Sequence, residues 1–124
     1  MNIAWTVTFH PAFEVQFNAL PLELQIQILA HAQLLEHFGP SLGRPQVDTL
    51  KGSRHANMKE LRFAWRKQVW RVAFAFDPAR AAILLTAGDK AGADQKRFYK
   101  SLIAAADGRF DEHVESLRRK QRRT

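Results

Sequence analysis

The chain has 124 residues, which is enough for one domain and too few for two. It contains no cysteine, so disulfides, thiolate zinc sites and cysteine nucleophiles are excluded for it. The formal net charge of +7 favours a polyanionic partner. We expect a cytoplasmic location and no contact with a membrane, because no apolar run approaches the roughly 20 residues that span a bilayer and the first residues lack signal-peptide character.

The positive charge is concentrated in two places. Residues 1–43 hold three acids and no Lys or Arg. Residues 51–71 hold seven basic residues against one acid, and residues 118–124 hold five basic residues and no acid. The distribution therefore predicts a single domain over residues 1–117, with a basic segment in its middle, followed by a basic C-terminal tail.

The first third of the chain reads as a strand and two helices. Residues 3–9 alternate weakly and are rich in aromatic and β-branched types, which favours a strand. Pro11 suits the first turn of a helix over residues 11–19, and Pro21 opens a second helix that Gly39 ends. Apolar residues of the second helix recur at roughly helical spacing: Leu22, Ile26, Leu29, Leu34, Leu35 and Phe38.

The middle of the chain predicts a β-hairpin and a central strand. Residues 39–58 are punctuated by Gly and Pro and predict a loop, in which a short strand around 47–50 can form. Large apolar residues then alternate with others before and after the polar turn Arg66-Lys67-Gln68: Leu61, Phe63 and Trp65, and afterwards Trp70, Val72, Phe74 and Phe76. After a turn at residues 77–80, the apolar run 81–87 suits a central strand.

From Asp94 onward the apolar period becomes helical. The repeating residues predict one long C-terminal helix: Phe98, Leu102, Ala106, Phe110, Val114 and Leu117. The element order is β-α-α-β-β-β-α. This order predicts an α+β domain with a mainly antiparallel sheet.

Three charged residues of the hairpin are predicted to share one face of the sheet. If the large apolar residues face a core, the alternation turns Glu60, Arg62 and Arg71 to the other face, beside the small Ala73 and Ala75. Arginine offers a planar fork to phosphate oxygens, so this face suits a phosphodiester. The alternative, that these cations only solvate the open face of the sheet, stays open. Further cations lie in or near this region: Lys51, Arg54, Lys59 and Lys90.

Short motifs in a fixed order carry a family resemblance over about residues 45–110. They are Leu50-Lys51-Gly52, Lys59-Glu60-Leu61-Arg62-Phe63, Trp70-Arg71-Val72-Ala73-Phe74, Gly88-Asp89-Lys90, Phe98-Tyr99 and Ala105-Ala106-Asp107. With this order and spacing the chain resembles the RelE/ParE superfamily of bacterial toxins, in particular its phage-derived HigB-like branch. The resemblance implies a RelE-like fold with the element order given above.

The resemblance also implies a function. It suggests the toxin of a type II toxin–antitoxin system, a ribosome-dependent mRNA endoribonuclease in which the ribose 2′-hydroxyl attacks the adjacent phosphate, with no metal or other cofactor. The implied partners are the ribosome and mRNA, and a cognate antitoxin with a helix-turn-helix domain, through which alone the toxin would reach operator DNA. Two alternatives stay open: a ParE-like, non-enzymatic inhibitor of DNA gyrase, and a nucleic-acid-binding module of the same fold.

Site roles follow from the resemblance residue by residue. Arg71 corresponds to a phosphate-stabilising arginine, and Arg62 to a position where RelE-like enzymes use a lysine that acts on the 2′-hydroxyl. Because arginine is a poor base, Glu60 or Lys59 is a candidate substitute. Lys90 suits charge stabilisation or the leaving group.

Tyr99 has two interpretations, either stacking on a base or packing in a core. The predicted RNA-binding residues are Lys51, Arg54, Lys59, Arg66 and Lys96. No metal site is expected, because no pair of histidines has a metal-ligand spacing backed by acids. Exposed apolar residues of the helical hairpin or the sheet are expected to form the antitoxin's docking surface.

Overall fold

The computed structural model describes residues 4–90 and 94–123. Its elements are β1 (Thr6–Phe9), α1 (Pro11–Asn18), α2 (Leu22–Phe38), β2 (Val47–Thr49), β3 (Met58–Trp65), β4 (Gln68–Phe76), β5 (Ala81–Asp89) and α3 (Gln95–Arg122). The predicted α+β class is confirmed. The short strand that the loop around 47–50 could form is present as β2, and it adds one strand to the expected order because its three residues pair along the edge of β3. No helix in these described segments is long and apolar enough to cross a membrane.

One five-stranded sheet, in the order β1-β5-β4-β3-β2, organises the molecule. The pair β1–β5 is parallel and the other pairs are antiparallel. The β3–β4 turn has two residues, since Gln68 already belongs to β4 and only Arg66 and Lys67 connect the strands, with φ of 49° and 64°. Positive φ at both positions matches the twist of the flanking strands. The resulting register sets Arg62 opposite Arg71.

Helices α1 and α2 cover one face of the sheet. Their buried residues pack on sheet residues and form the α1–α2 core, which includes Phe13, Phe17, Leu24, Ile28, Leu35, Leu61, Phe63, Val72, Phe74 and Leu84. Each fully buried large apolar side chain of this kind stabilises the fold by about 1.5–3 kcal/mol. This face is therefore a continuous hydrophobic interface between helices and sheet.

The predicted phase of α2 is only partly right. Of the six residues whose spacing indicated this helix, only Leu35 is buried. Leu22, Ile26 and Leu29 are 70%, 53% and 46% exposed, respectively. The buried side of α2 instead presents Leu24, Ile28, Ala32 and Leu35. The helix is apolar on two sides, so a helical period alone did not identify which side faces the sheet.

Helix α3 covers part of the opposite face and forms the α3 core. Its residues Leu102, Ala106 and Phe110 pack on sheet residues that include Ala73 and Ala75. These alanines were expected on an open face, and that expectation is wrong, because α3 buries both completely. The helix begins after Asp94, whose carboxylate accepts a hydrogen bond from the Lys96 backbone N–H at 2.8 Å. It continues to Arg122, so much of the basic tail is helical.

Candidate active site

Four of the predicted site residues meet where the first turns of α3 cross β3 and β4. Glu60 and Arg62 come from β3, Arg71 from β4 and Tyr99 from α3. The Tyr99 hydroxyl donates to Glu60 Oε1 at 3.0 Å and accepts from Arg71 Nε at 2.6 Å. A second Arg71 donor, Nη1, reaches the Val69 carbonyl at 3.0 Å. We call Glu60, Arg62, Arg71 and Tyr99 the polar cluster.

The two central charges of the polar cluster are buried. Glu60 is 5% exposed and Arg71 7%, so the expected open basic surface is instead an internal ion pair at its centre. Glu60 Oε1 lies 3.6 Å from Arg71 Nε and 3.8 Å from Arg62 Nε. Two guanidinium groups thus share one carboxylate. An excess positive charge remains on this side of the sheet, where it can attract an anion.

Burial changes the proton affinity of both acidic groups. Removal from water raises the pKa of the Glu60 carboxyl, against the opposing effects of the Tyr99 hydrogen bond and the charges of Arg62 and Arg71. Burial also raises the pKa of the Tyr99 hydroxyl, and the charge of Glu60 acts in the same direction. Tyr99 therefore remains a protonated donor at neutral pH. Glu60 is a stronger base than an ordinary exposed carboxylate.

Arg62 is the member of the polar cluster best placed to meet a ligand. Its side chain is 40% exposed, whereas its Nε is buried and has no hydrogen-bond partner in the part of the chain that the structure describes. A buried donor without a partner costs about 1–3 kcal/mol. An anion bound between Arg62 and Arg71 would offset this cost.

Two grooves adjoin the polar cluster, one on each side. The hairpin groove, about 570 Å³, is lined by Arg62 together with Arg44, Ala64 and Val69. The helix groove, about 1000 Å³, runs between the β2–β3 loop and α3 and has Tyr99 in its wall. Each groove thus shares one residue with the polar cluster.

Other predicted residues surround the helix groove. Lys51, Arg54 and Lys96 line it. Lys90 follows β5, two positions after Gly88, which lies opposite Arg71 in the register. Its Nζ is 3.3 Å from Oε1 of Gln95, another residue of the groove wall. The structure thus places these four cations on the same side of the sheet as the polar cluster.

Two predicted residues lie elsewhere. Lys59 precedes Glu60 by one position, so it shares the α1–α2 face with Leu61, and the structure separates it from the polar cluster. Arg66, in the β3–β4 turn, donates to Glu23 of α2 at 2.9 Å and lies over the Trp65 ring. Both residues remain predictions for RNA binding outside the site.

The sequence interpretation missed two features of the site. Lys100 lines the helix groove beside Lys96, and their i, i+4 spacing on α3 was the available signal. Asp107 is buried on α3 and accepts hydrogen bonds from Ser53 Oγ and from the Arg54 backbone N–H. This carboxylate fastens the β2–β3 loop to α3 and so sets one wall of the groove.

Comparison with known proteins identifies the family. The model of the family described as "Phage derived protein Gp49-like" matches residues 15–111. The Mycobacterium tuberculosis protein "Putative toxin HigB2" is 45% identical over 115 residues, which cover 91% of this chain and 56% of HigB2. The chain thus spans a little over half the length of that relative. "Putative toxin HigB3" of the same organism is 46% identical over 106 residues, 86% of this chain and 90% of HigB3.

A solved structure supports the fold independently. A mutant of the E. coli toxin RelE in the free state superposes with a TM-score of 0.56, covering 82% of this chain and 95% of RelE. The sequence identity of this pair is 11%, so the comparison concerns the fold alone. Together these matches confirm the resemblance that the motifs indicated: the chain belongs to the Gp49-like family of phage-derived proteins and has the RelE-like fold.

Proposed function

We propose that this protein is the toxin of a type II toxin–antitoxin pair and that it cleaves mRNA on the ribosome. The polar cluster is the observation that carries the proposal. It combines a buried carboxylate with two arginines and a protonated tyrosine, at the junction of two grooves. The relatives HigB2 and HigB3, named as toxins, support the toxin assignment.

The reaction requires a general base, groups that stabilise negative charge, and a general acid. Glu60 takes the proton of the ribose 2′-hydroxyl, whose oxygen then forms a bond to the adjacent phosphorus. Arg62 and Arg71 stabilise the charge that develops on the phosphoryl oxygens. The bond to the 5′-oxygen breaks, and this oxygen takes a proton from the Lys90 ammonium group. The products are a 2′,3′-cyclic phosphate and a 5′-hydroxyl.

Tyr99 acts on this reaction through Glu60 and Arg71. Its hydroxyl holds the carboxylate by one hydrogen bond and the guanidinium by another, so the two groups are oriented before the substrate arrives. Tyr99 is therefore a positioning residue, and its ring is also part of the groove wall.

The cognate antitoxin is the proposed protein partner, and α2 is its proposed docking surface. Leu22, Ile26 and Leu29 follow the spacing i, i+4, i+7 and form an exposed apolar stripe on this helix. Because the stripe belongs to a segment of the chain without Lys or Arg, an antitoxin segment with an apolar face and basic flanks would complement it.

The test is cleavage of a translated mRNA on purified ribosomes, with mapping of the new 5′ ends. We expect Arg71→Lys to reduce cleavage by about 10²–10³-fold, because an ammonium group cannot replace the two-donor fork. Arg109→Lys is the matched control, since Arg109 is a half-buried residue of α3 that donates to the Leu85 carbonyl, outside the polar cluster. Cleavage by the control should be unchanged.

Expression of the protein in cells, followed by mapping of mRNA ends and of DNA breaks, separates the alternatives. If the folded wild-type protein leaves mRNA intact and causes double-strand DNA breaks in cells, the gyrase-inhibitor function replaces the nuclease. If neither mRNA nor DNA is damaged and growth is unaffected, both toxin functions are wrong.

A further inference from the structure

The helix groove differs from the polar cluster in its chemistry. The floor of the groove is partly apolar and is formed by Ile103, Ala104 and the backbone of Gly52, and cations lie along its sides. Such a combination fits a group that is flat and apolar on one side and anionic on another. A nucleotide, with its base and phosphate, is a ligand of this kind.

We propose that the helix groove binds the nucleotide adjacent to the cleaved one, on an unpaired RNA strand. The proposal rests on the proposed function, because it assigns a second subsite to the same substrate. In the proposed subsite, the base of this adjacent nucleotide lies against Ile103 and the Tyr99 ring, and its phosphate faces Lys96 and Lys100.

The charges in the groove are available for an incoming phosphate. Among the described residues, Lys51, Lys96 and Lys100 form no ion pair. The two acids that line the groove are occupied elsewhere. Asp94 caps α3, and Asp107 accepts from Ser53 and from the Arg54 backbone.

A glycine keeps the floor of the groove open. Gly52 has a backbone φ of +101°, a conformation that residues other than glycine rarely adopt. A Cβ at this position would lie 3.5 Å from Ile103 Cδ1 and occupy the space above that side chain. The backbone of the loop can therefore approach a base closely.

The link to the polar cluster is Tyr99. Its ring lines the groove, and its hydroxyl contacts Glu60 and Arg71. A nucleotide in the groove would thus sit next to the reacting phosphate on one continuous strand. A base held in a duplex has both faces stacked on its neighbours, so the subsite requires an unpaired strand.

The experiment measures binding separately from cleavage. A fluorescent single-stranded RNA with 2′-deoxynucleotides throughout its cleavable positions is titrated with the full chain, and anisotropy is recorded from 50 to 300 mM salt. We expect the double variant Lys96→Ala/Lys100→Ala to lose at least about tenfold in affinity and to reduce the magnitude of the salt slope by about 0.7, the value for the one phosphate contact that both lysines share.

Two further variants distinguish a subsite from general attraction. Arg119→Ala/Lys120→Ala removes the same charge from the exposed end of α3 and should change affinity less than twofold. Ala104→Glu adds a carboxylate at the exposed groove surface without removing a core side chain, and should weaken binding at least about tenfold. Equal losses in the two double variants, or unchanged binding with Ala104→Glu, would overturn the proposal.

A duplex control and the ribosome cleavage assay complete the test. A duplex of the same sequence that binds as tightly as the single strand would also overturn it. If the wild type binds RNA through the groove but cuts no mRNA on ribosomes, the subsite stands and the nuclease function fails. If it cuts mRNA while the groove variants bind and cut normally, the nuclease function stands and the subsite fails.

Discussion

The two faces of the sheet are built from the same strands and do opposite things. On the α1–α2 face, alternate residues of β3 and β4 such as Leu61, Val72 and Phe74 all enter one apolar core. On the α3 face, the intervening residues divide into an apolar half around Ala73 and Ala75 and a polar half around Glu60 and Arg71. The apolar packing of the α1–α2 face stabilises the fold. That stability offsets the cost of keeping charged groups away from water on the α3 face.

The polar half exists because α3 only partly covers its face. Leu102 and Phe110 pack closely over the small alanines, whereas Tyr99, one turn earlier, ends in a hydroxyl that satisfies both Glu60 and Arg71. Buried charges are costly unless they are paired and hydrogen-bonded. The hydrophobic packing farther along α3 holds the helix in place and so maintains that pairing.

The largest difference between buried and open positions should appear in stability. Leu61→Ala removes a fully buried side chain from the α1–α2 core and should lower the free energy of unfolding by about 2–5 kcal/mol. Leu22→Ala makes the same chemical change at an exposed position of α2 and should stay within about 0.5 kcal/mol of the wild type. Urea denaturation measures both, and equal losses would contradict the assignment of the two faces.

The next largest effect concerns the proposed antitoxin contact. Ile26→Asp introduces a charge into the exposed stripe of α2 and should weaken antitoxin binding at least about tenfold, because an unpaired charge would be buried in the complex. Ser101→Asp adds the same charge to an exposed position of α3, across the sheet, and should leave binding unchanged. Calorimetric titration decides the matter, and an unaffected Ile26→Asp variant would remove α2 as the docking surface. Cleavage by both variants should equal that of the wild type.

A smaller effect should follow pH. Because the Glu60 pKa in the folded state is raised above its ordinary 4.5, the protonated form favours folding. This contribution is complete below pH 4.5 and is lost as the pH rises through the folded-state pKa. Glu60→Gln abolishes the titration, so its stability relative to the wild type should increase over that window. A difference that stays constant between pH 4 and 8 would show that burial does not perturb Glu60.

The same titration should govern activity in the opposite direction. In the proposed mechanism Glu60 acts as a base only when ionised, so the cleavage rate should rise with pH through its raised pKa. Glu60→Gln should retain the Tyr99 hydrogen bond but lose both the rate and this limb of the pH profile.

The smallest effect is expected from the basic tail. Arg118, Arg119 and Arg122 are exposed and lie within 4.0 Å of Glu115, in ion pairs of a kind that contribute about 0–1 kcal/mol. Removal of residues 118–124 should therefore leave the melting temperature and the saturated cleavage rate close to those of the full chain. It should weaken RNA binding only at low salt. A large loss of activity at physiological salt would give the tail a direct role and would contradict the predicted domain limit at residue 117.

The sequence predicted helices and strands best where the large apolar residues of an element lie on only one of its sides. The period-two alternation of Leu61 to Phe76 and the stripe of α3 both matched, since each of these elements carries its large apolar residues on one side. The pattern of α2 was ambiguous because both sides are apolar, and only tertiary packing selects Leu24 over Leu22. Strand β2 is too short to have a pattern of its own.

For the site, alternation correctly grouped Glu60, Arg62 and Arg71. Their burial could not be predicted, because it depends on how closely α3 approaches the sheet, which the size of Ala73 and Ala75 permits. The same alternation separates Lys59 from Glu60, although sequence proximity had grouped them.

The two-residue turn of the hairpin has a consequence for how this chain tolerates change. One residue inserted at Arg66-Lys67, with the two-residue turn kept, would shift β4 by one position against β3 and reverse the direction of every side chain on it. Arg71 would then point into the α1–α2 core, and Phe74 would meet α3. Length variation in homologues is thus expected in the β2–β3 loop and at the chain ends, and not at this turn, even though both turn residues are exposed.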